Sequence, residues 1–123
     1  MCVSMYINCH VGNVKTYAQD PVFNTLDAAL LHSLGITVVE HPCAFERVSK
    51  DSFLFCPGVE RVHLDVLLRV QNDGKRPRAL FGGPLEEMEE SSAVPGFLDG
   101  KAVTKVPLFE TNEKAFWGMK VYL

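Results

Sequence analysis

Asp20, His41, Cys56, Gly82 and Gly83 are the residues whose types and spacing could serve a ligand. Each follows a strand-like segment, and open α/β sheets bind ligands at the carboxyl ends of their strands. An acidic side chain there can accept a hydrogen bond from a ribose hydroxyl. A histidine near a cysteine can supply base and nucleophile, and paired glycines let a ligand approach the backbone. Every one of these has an ordinary alternative. Asp20 can cap the next helix or close a turn, and a His and a Cys on separate loops often do no chemistry. His41 and Cys43, with Cys56 and His63 further on, offer donors for a metal or haem, but their spacing matches no common zinc module. The residues define no catalytic site and no resident cofactor; S-adenosylmethionine, a nucleotide or haem are the ligands such an edge would take.

Other charged and aromatic groups read in two ways. Lys75, Arg76 and Arg78 could contact a phosphate group, although a turn before a strand is also a usual place for solvated charge. Glu86, Glu87, Glu89 and Glu90 suit the start of a helix and face solvent. Phe109, Phe116, Trp117 and Tyr122 gather near the carboxyl end, where cross-strand packing is the default and a partner surface the sharper alternative.

The elements that must position these groups follow from periodicity. Residues 3–8 and 14–18 read as strands joined by a turn too short for a crossover helix. From Asn24, the positions Leu26, Ala29, Leu30 and Leu34 fall at helical spacing, predicting a core-facing helix capped by Asn24 or Thr25 and closed by Gly35. Residues 36–40 and 53–56 read as buried strands. Val62, Val66, Leu67 and Val70 predict a second helical stripe. A strand over 78–81, a short acidic helix over 85–90 and a surface loop over 91–101 come next, then strands over 103–108 and 117–123 as an antiparallel pair. The resulting order, β-β-α-β-β-α-β-α-β-β, predicts a three-layer Rossmann-like domain. Its sheet is mostly parallel with helices on both faces, it ends in an antiparallel carboxyl-terminal hairpin, and its first strand-and-helix unit is missing.

Composition bounds the rest. At 123 residues and 47% apolar content the chain fits one domain, 1–123, with one core. A formal charge of −3 argues against nucleic acid and anionic membrane as partners. The four cysteines occur without a CxxC pair, a basic leader or an apolar run long enough to span a bilayer. Reduced thiols and a cytoplasmic, possibly nuclear, location are the expectation.

The segment Asp20-Pro21-Val22-Phe23, followed by a helix, Leu34-Gly35 and the hydrophobic strand from Ile36, resembles the "sensitivity to red light reduced" family in its short fungal form. The likeness continues through residues 41–48 and 52–57 and resumes over 107–112 and 115–122, covering about residues 16–123. The resemblance implies a regulatory protein linked to light, clock or stress responses and to control of haem and related tetrapyrrole synthesis. Longer members carry a Gly-rich strand-to-helix turn ahead of the Asp-Pro element, where this chain offers only Gly12. Since phosphate binding normally draws on such a turn, an interaction module is the expected role, and a methyltransferase-like or nucleotide-binding enzyme using Asp20 and His41 is the alternative. A sheet edge left uncovered by the missing unit would favour a protein partner or self-association, through the amino-terminal strand or the final hairpin.

Overall fold

The computed structural model describes residues 4–10, 13–40, 43–69 and 76–123. Seven strands form one sheet: β1 (Ser4–His10), β2 (Asn13–Gln19), β3 (Ile36–Val38), β4 (Ser52–Phe55), β5 (Ala79–Gly82), β6 (Val103–Lys105) and β7 (Lys120–Tyr122). Among the described residues, three α-helices accompany them: α1 (Thr25–Ser33), α2 (Arg61–Leu68) and α3 (Val94–Leu98). The spatial order is β3-β2-β1-β4-β5-β7-β6. The chain is thus a mixed α/β domain whose strands fall in the expected order, but the third helix expected over 85–90 is only a 3₁₀ turn over Leu85–Glu87, and α3 lies where a loop was expected.

The sheet is not mostly parallel. Only β2–β3 and β4–β5 pair in parallel, while β1–β2, β1–β4, β5–β7 and β6–β7 are antiparallel. The short connection after β1 forces a hairpin, with Ser4 opposite Gln19 and His10 opposite Asn13, and places β1 between β2 and β4. The amino-terminal strand is therefore internal, with both of its edges paired, and the sheet edges are β3 and β6. The carboxyl-terminal pair forms as expected but is short, three residues in each strand with 106–119 between them.

The core lies around β4, β5, α2, α3 and β7. Leu54, Leu67, Leu68, Leu80, Leu85 and Tyr122 are fully buried there. On α2 the buried set is Leu64, Leu67 and Leu68, whereas Val62 is exposed. The helical period is as expected, but its phase differs: the 64/67/68 ridge faces inward. Residues 91–101 hold α3 rather than a loop alone. The Ser91 hydroxyl accepts the amides of Ala93 and Val94, supplying the partners that the first turn lacks, and Val94 and Phe97 dock into the core.

The larger correction concerns α1. Its caps are as expected: Asn24 and Asp27 form a reciprocal capping box, and Gly35 takes φ +79°. Yet none of its residues is buried, and Leu26, Leu30 and Leu34 are 80%, 62% and 67% exposed. The half-buried positions are Asp27, Ala28 and Leu31. The stripe read as a core face points into solvent, because periodicity identifies an apolar stripe without saying what lies against it.

Candidate functional site

Strands β2, β3, β4 and β5 run in one direction, so their carboxyl ends share one edge of the sheet. Asp20, Cys56 and Gly82–Gly83 all lie along it. His41 and Lys75 lie outside the described residues. With β1 between β2 and β4, Asp20 and Cys56 are two strand spacings apart, about 10 Å along the edge.

Asp20 is 8% exposed. Its Oδ1 accepts the Val22 amide at 2.9 Å and its carbonyl accepts the Phe23 amide at 3.1 Å, which makes it a turn residue. Asn24 takes the capping role instead. The second carboxylate oxygen, Oδ2, is buried with no hydrogen-bond partner. Asp20 lines a cavity of about 120 Å³ together with Val22, Phe23 and Asp27. Next to it, the fully enclosed Gln19 side chain accepts the Ala44 amide at 2.7 Å and ties the turn after β3 to β2.

Cys56 is completely buried, and burial pushes its thiol well above the ordinary range, so it is held protonated. Its amide donates to the Phe81 carbonyl at 2.8 Å. A Cβ at Gly82 would stand 2.8 Å from the Cys56 carbonyl oxygen, and one at Gly83 would stand 2.6 Å from the Leu85 nitrogen and 3.0 Å from the Tyr122 hydroxyl. These glycines admit the protein's own chain. Cys43 is an exposed free thiol, and His63 on α2 packs against Phe45 with ring centroids 5.6 Å apart. Among the described residues, no three His, Cys, Asp or Glu side chains converge as a metal would require.

Behind Gly83, Tyr122 accepts the Leu85 amide at 2.9 Å and donates to Glu86 Oε2 at 2.8 Å, while Lys120 pairs with Glu86 at 3.3 Å. Burial and the Glu86 carboxylate raise the Tyr122 hydroxyl far above its usual range. For Glu86, burial acts upward, but its own amide, Tyr122 and Lys120 outweigh it and lower the carboxyl. A second cluster joins α2 to the turn before α3: Ser91 donates to Asp65 Oδ1, and Arg69 reaches Asp65 Oδ2 at 2.7 Å. The Ser91 and Arg69 hydrogen bonds pull Asp65 below the ordinary carboxylate range. Neither cluster announces itself in the sequence, since both join residues about 26 to 37 positions apart.

The aromatic residues near the carboxyl end divide. Phe116 meets Phe81 edge-on at 5.4 Å and Phe55 at 6.5 Å, with Phe55 and Phe81 stacked at 4.9 Å. Trp117 is 72% exposed and lines an open groove with Leu108 and Met119.

The chain is a mixed α/β domain with an Asp-Pro turn at the end of β2 and a helix without buried residues directly after it. The family model for the SRR1 domain matches residues 1–123, and the chain belongs to that family. No curated protein and no solved structure matches it. Among the described residues, no helix is long and apolar enough to cross a membrane.

Proposed function

We propose that this chain is a non-catalytic interaction module that works by pairing with a second copy through the apolar face of α1. The observation that carries this reading is a nine-residue helix with no buried side chain, whose Leu26 and Leu30, with Leu34 at its C-cap, are mostly in water. Helices shorter than about 12–15 residues are marginal in water unless a face is packed, and Val22 adds to the patch at 70% exposure. Leu26, Leu30 and Leu34 stand at i, i+4 and i+8, the ridge by which two helices interdigitate. The same ridge on two copies is self-complementary about a two-fold axis. Little charge opposes that contact. Asp27 is occupied in the capping box, and His32 Nε2 accepts the Val38 amide at 3.3 Å. That second bond also occupies the Val38 amide on the β3 edge.

In this reading the domain is the three-layer arrangement expected from its sequence. The crossovers β2-α1-β3 and β4-α2-β5 lead in opposite directions across the sheet, and right-handed connections then put α1 and α2 on opposite faces. A regulatory role in light, clock or tetrapyrrole responses fits a module without catalytic groups. The test is backbone-assigned NMR over a concentration series. Amide shifts of Leu26, Leu30 and Leu34 are expected to move with concentration and to stop moving in Leu26→Lys/Leu30→Lys; shifts independent of concentration in the parent would overturn the proposal.

One observation favours a second reading. The unpartnered Asp20 Oδ2 suits a hydroxyl or ammonium donor from a small ligand. A cavity of about 120 Å³ holds such a group but falls short of the roughly 300–1,000 Å³ of ligand pockets. Titration with S-adenosylmethionine, adenine nucleotides and haem tests it: shifts confined to residues around Asp20 and Val22 would support a ligand, and none would remove it.

A further inference from the structure

Four of the chain's twelve lysines and arginines meet at one place, on the edge opposite Asp20. Lys50 precedes β4, and Arg76 and Arg78 precede β5; the two strands are parallel, and the Arg78 amide donates to the Ser52 carbonyl at 3.0 Å. Lys101 follows α3 and closes the other side. Together they line a cavity of about 250 Å³. In a protein with a net charge of −3, such a gathering is not a by-product of overall basicity.

Arg76 and Lys101 are held in place, and neither has a side-chain ion pair among the described residues. The Arg76 guanidinium lies flat against Gly96, where an added Cβ would stand 2.5 Å from Nη2 and 2.7 Å from Cζ. Arg76 Nε is buried with no hydrogen-bond partner, and among the described residues neither Arg76 nor Arg78 has a side-chain ion pair. Lys101 Nζ donates to the Arg78 carbonyl and rests 5.0 Å from the centre of the buried Phe97 ring. Burial, and then the Arg78 charge, depress the Lys101 ammonium, the sign of a crowded cationic cluster that an anion would relieve. Lys50 is partly offset by Asp51 at 2.8 Å, and Asp99 also borders the cavity.

We propose that Arg76, Arg78 and Lys101, with Lys50 at the rim, bind a phosphoryl group in the cavity beside Gly96. Two guanidinium forks and an ammonium present planar and point donors to several oxygens of one group, the geometry that phosphate satisfies better than a carboxylate. Among the described residues, the one aromatic in the lining, Phe97, is 1% exposed and offers no face for a nucleobase. The ligand is therefore a phosphate borne on a small ester or on a phosphorylated side chain.

The test titrates the full chain with inorganic phosphate and with a capped Gly-phosphoserine-Gly peptide, each matched by potassium chloride of equal ionic strength. The Gly96, Arg78 and Lys101 amides are expected to shift saturably with both phosphate probes and not with chloride. Equal affinity identifies free phosphate or small esters as the source, and tighter peptide binding identifies a phosphorylated protein; either supports the site. Replacing one guanidinium, as in Arg76→Gln, should weaken binding by about tenfold or more. Shifts reproduced by chloride alone would overturn the proposal irrespective of any variant, as would an unchanged affinity in folded Arg76→Gln/Arg78→Gln.

Discussion

Leu30→Ala separates the exposed helix face from the core most cleanly. Full burial of a leucine is worth about 1.5–3 kcal/mol, and Leu30 keeps 62% of its surface in water. In the single domain its truncation therefore costs about 1 kcal/mol or less. Leu80, fully buried on β5 between β4 and β7, should cost about 2–5 kcal/mol for the same change, because transfer and cavity costs add. Urea melts of both variants at high dilution, followed by circular dichroism, give the comparison; a shifted midpoint with unchanged slope reports stability alone. If α1 pairs between copies, the Leu30→Ala penalty should grow with protein concentration, since dissociation is then linked to unfolding. A penalty at high dilution equal to that of Leu80→Ala would refute the exposed placement of α1.

Three further outcomes follow. Tyr122→Phe should cost about 1–3 kcal/mol in urea melts, because it leaves the buried Leu85 amide without its acceptor and removes the hydroxyl that donates to Glu86 Oε2. Asp65 has a lowered pKa in the folded state, so it contributes stability above the ordinary carboxylate range near about 4 that is lost as pH falls through its folded value. The melting temperature of Asp65→Asn should accordingly vary less with pH over that acidic range than the parent's. Brief alkylation of the native protein with iodoacetamide, mapped by mass spectrometry, should modify the exposed Cys43 and spare the buried, protonated Cys56.

Local signals in the sequence carried a good deal of the fold. The Asn24 cap, the Gly35 closure and the strands around residues 36–38 and 52–55 all rest on interactions within a few residues. Partner choice did not. The direction of β1 and its place between β2 and β4 depend on long-range pairing, which turned a sheet read as mostly parallel into a mixed one. The phase of α2 and the fate of the Leu26-Leu30-Leu34 stripe depend on what packs against each helix, and an apolar period is silent on that. Of the candidate residues, Asp20, Cys56, Gly82 and Gly83 do share one sheet edge, as strand ends must. Their environments were not readable, since the Cys56 carbonyl fills the space at Gly82 and Tyr122 crowds Gly83 from a strand some 40 residues away. Arg76 and Arg78 read in the sequence as either a phosphate contact or solvated turn charge, and the groups that line the cavity with them, Lys50, Gly96 and Lys101, come from other elements.

The pairing of two copies through α1 is tested most directly by sedimentation equilibrium of the unmodified chain across a range of concentrations. The account predicts a mass rising from 13.7 kDa towards twice that value, with Leu26→Lys/Leu30→Lys remaining at 13.7 kDa throughout. A parent chain that stays at 13.7 kDa at every concentration would contradict it.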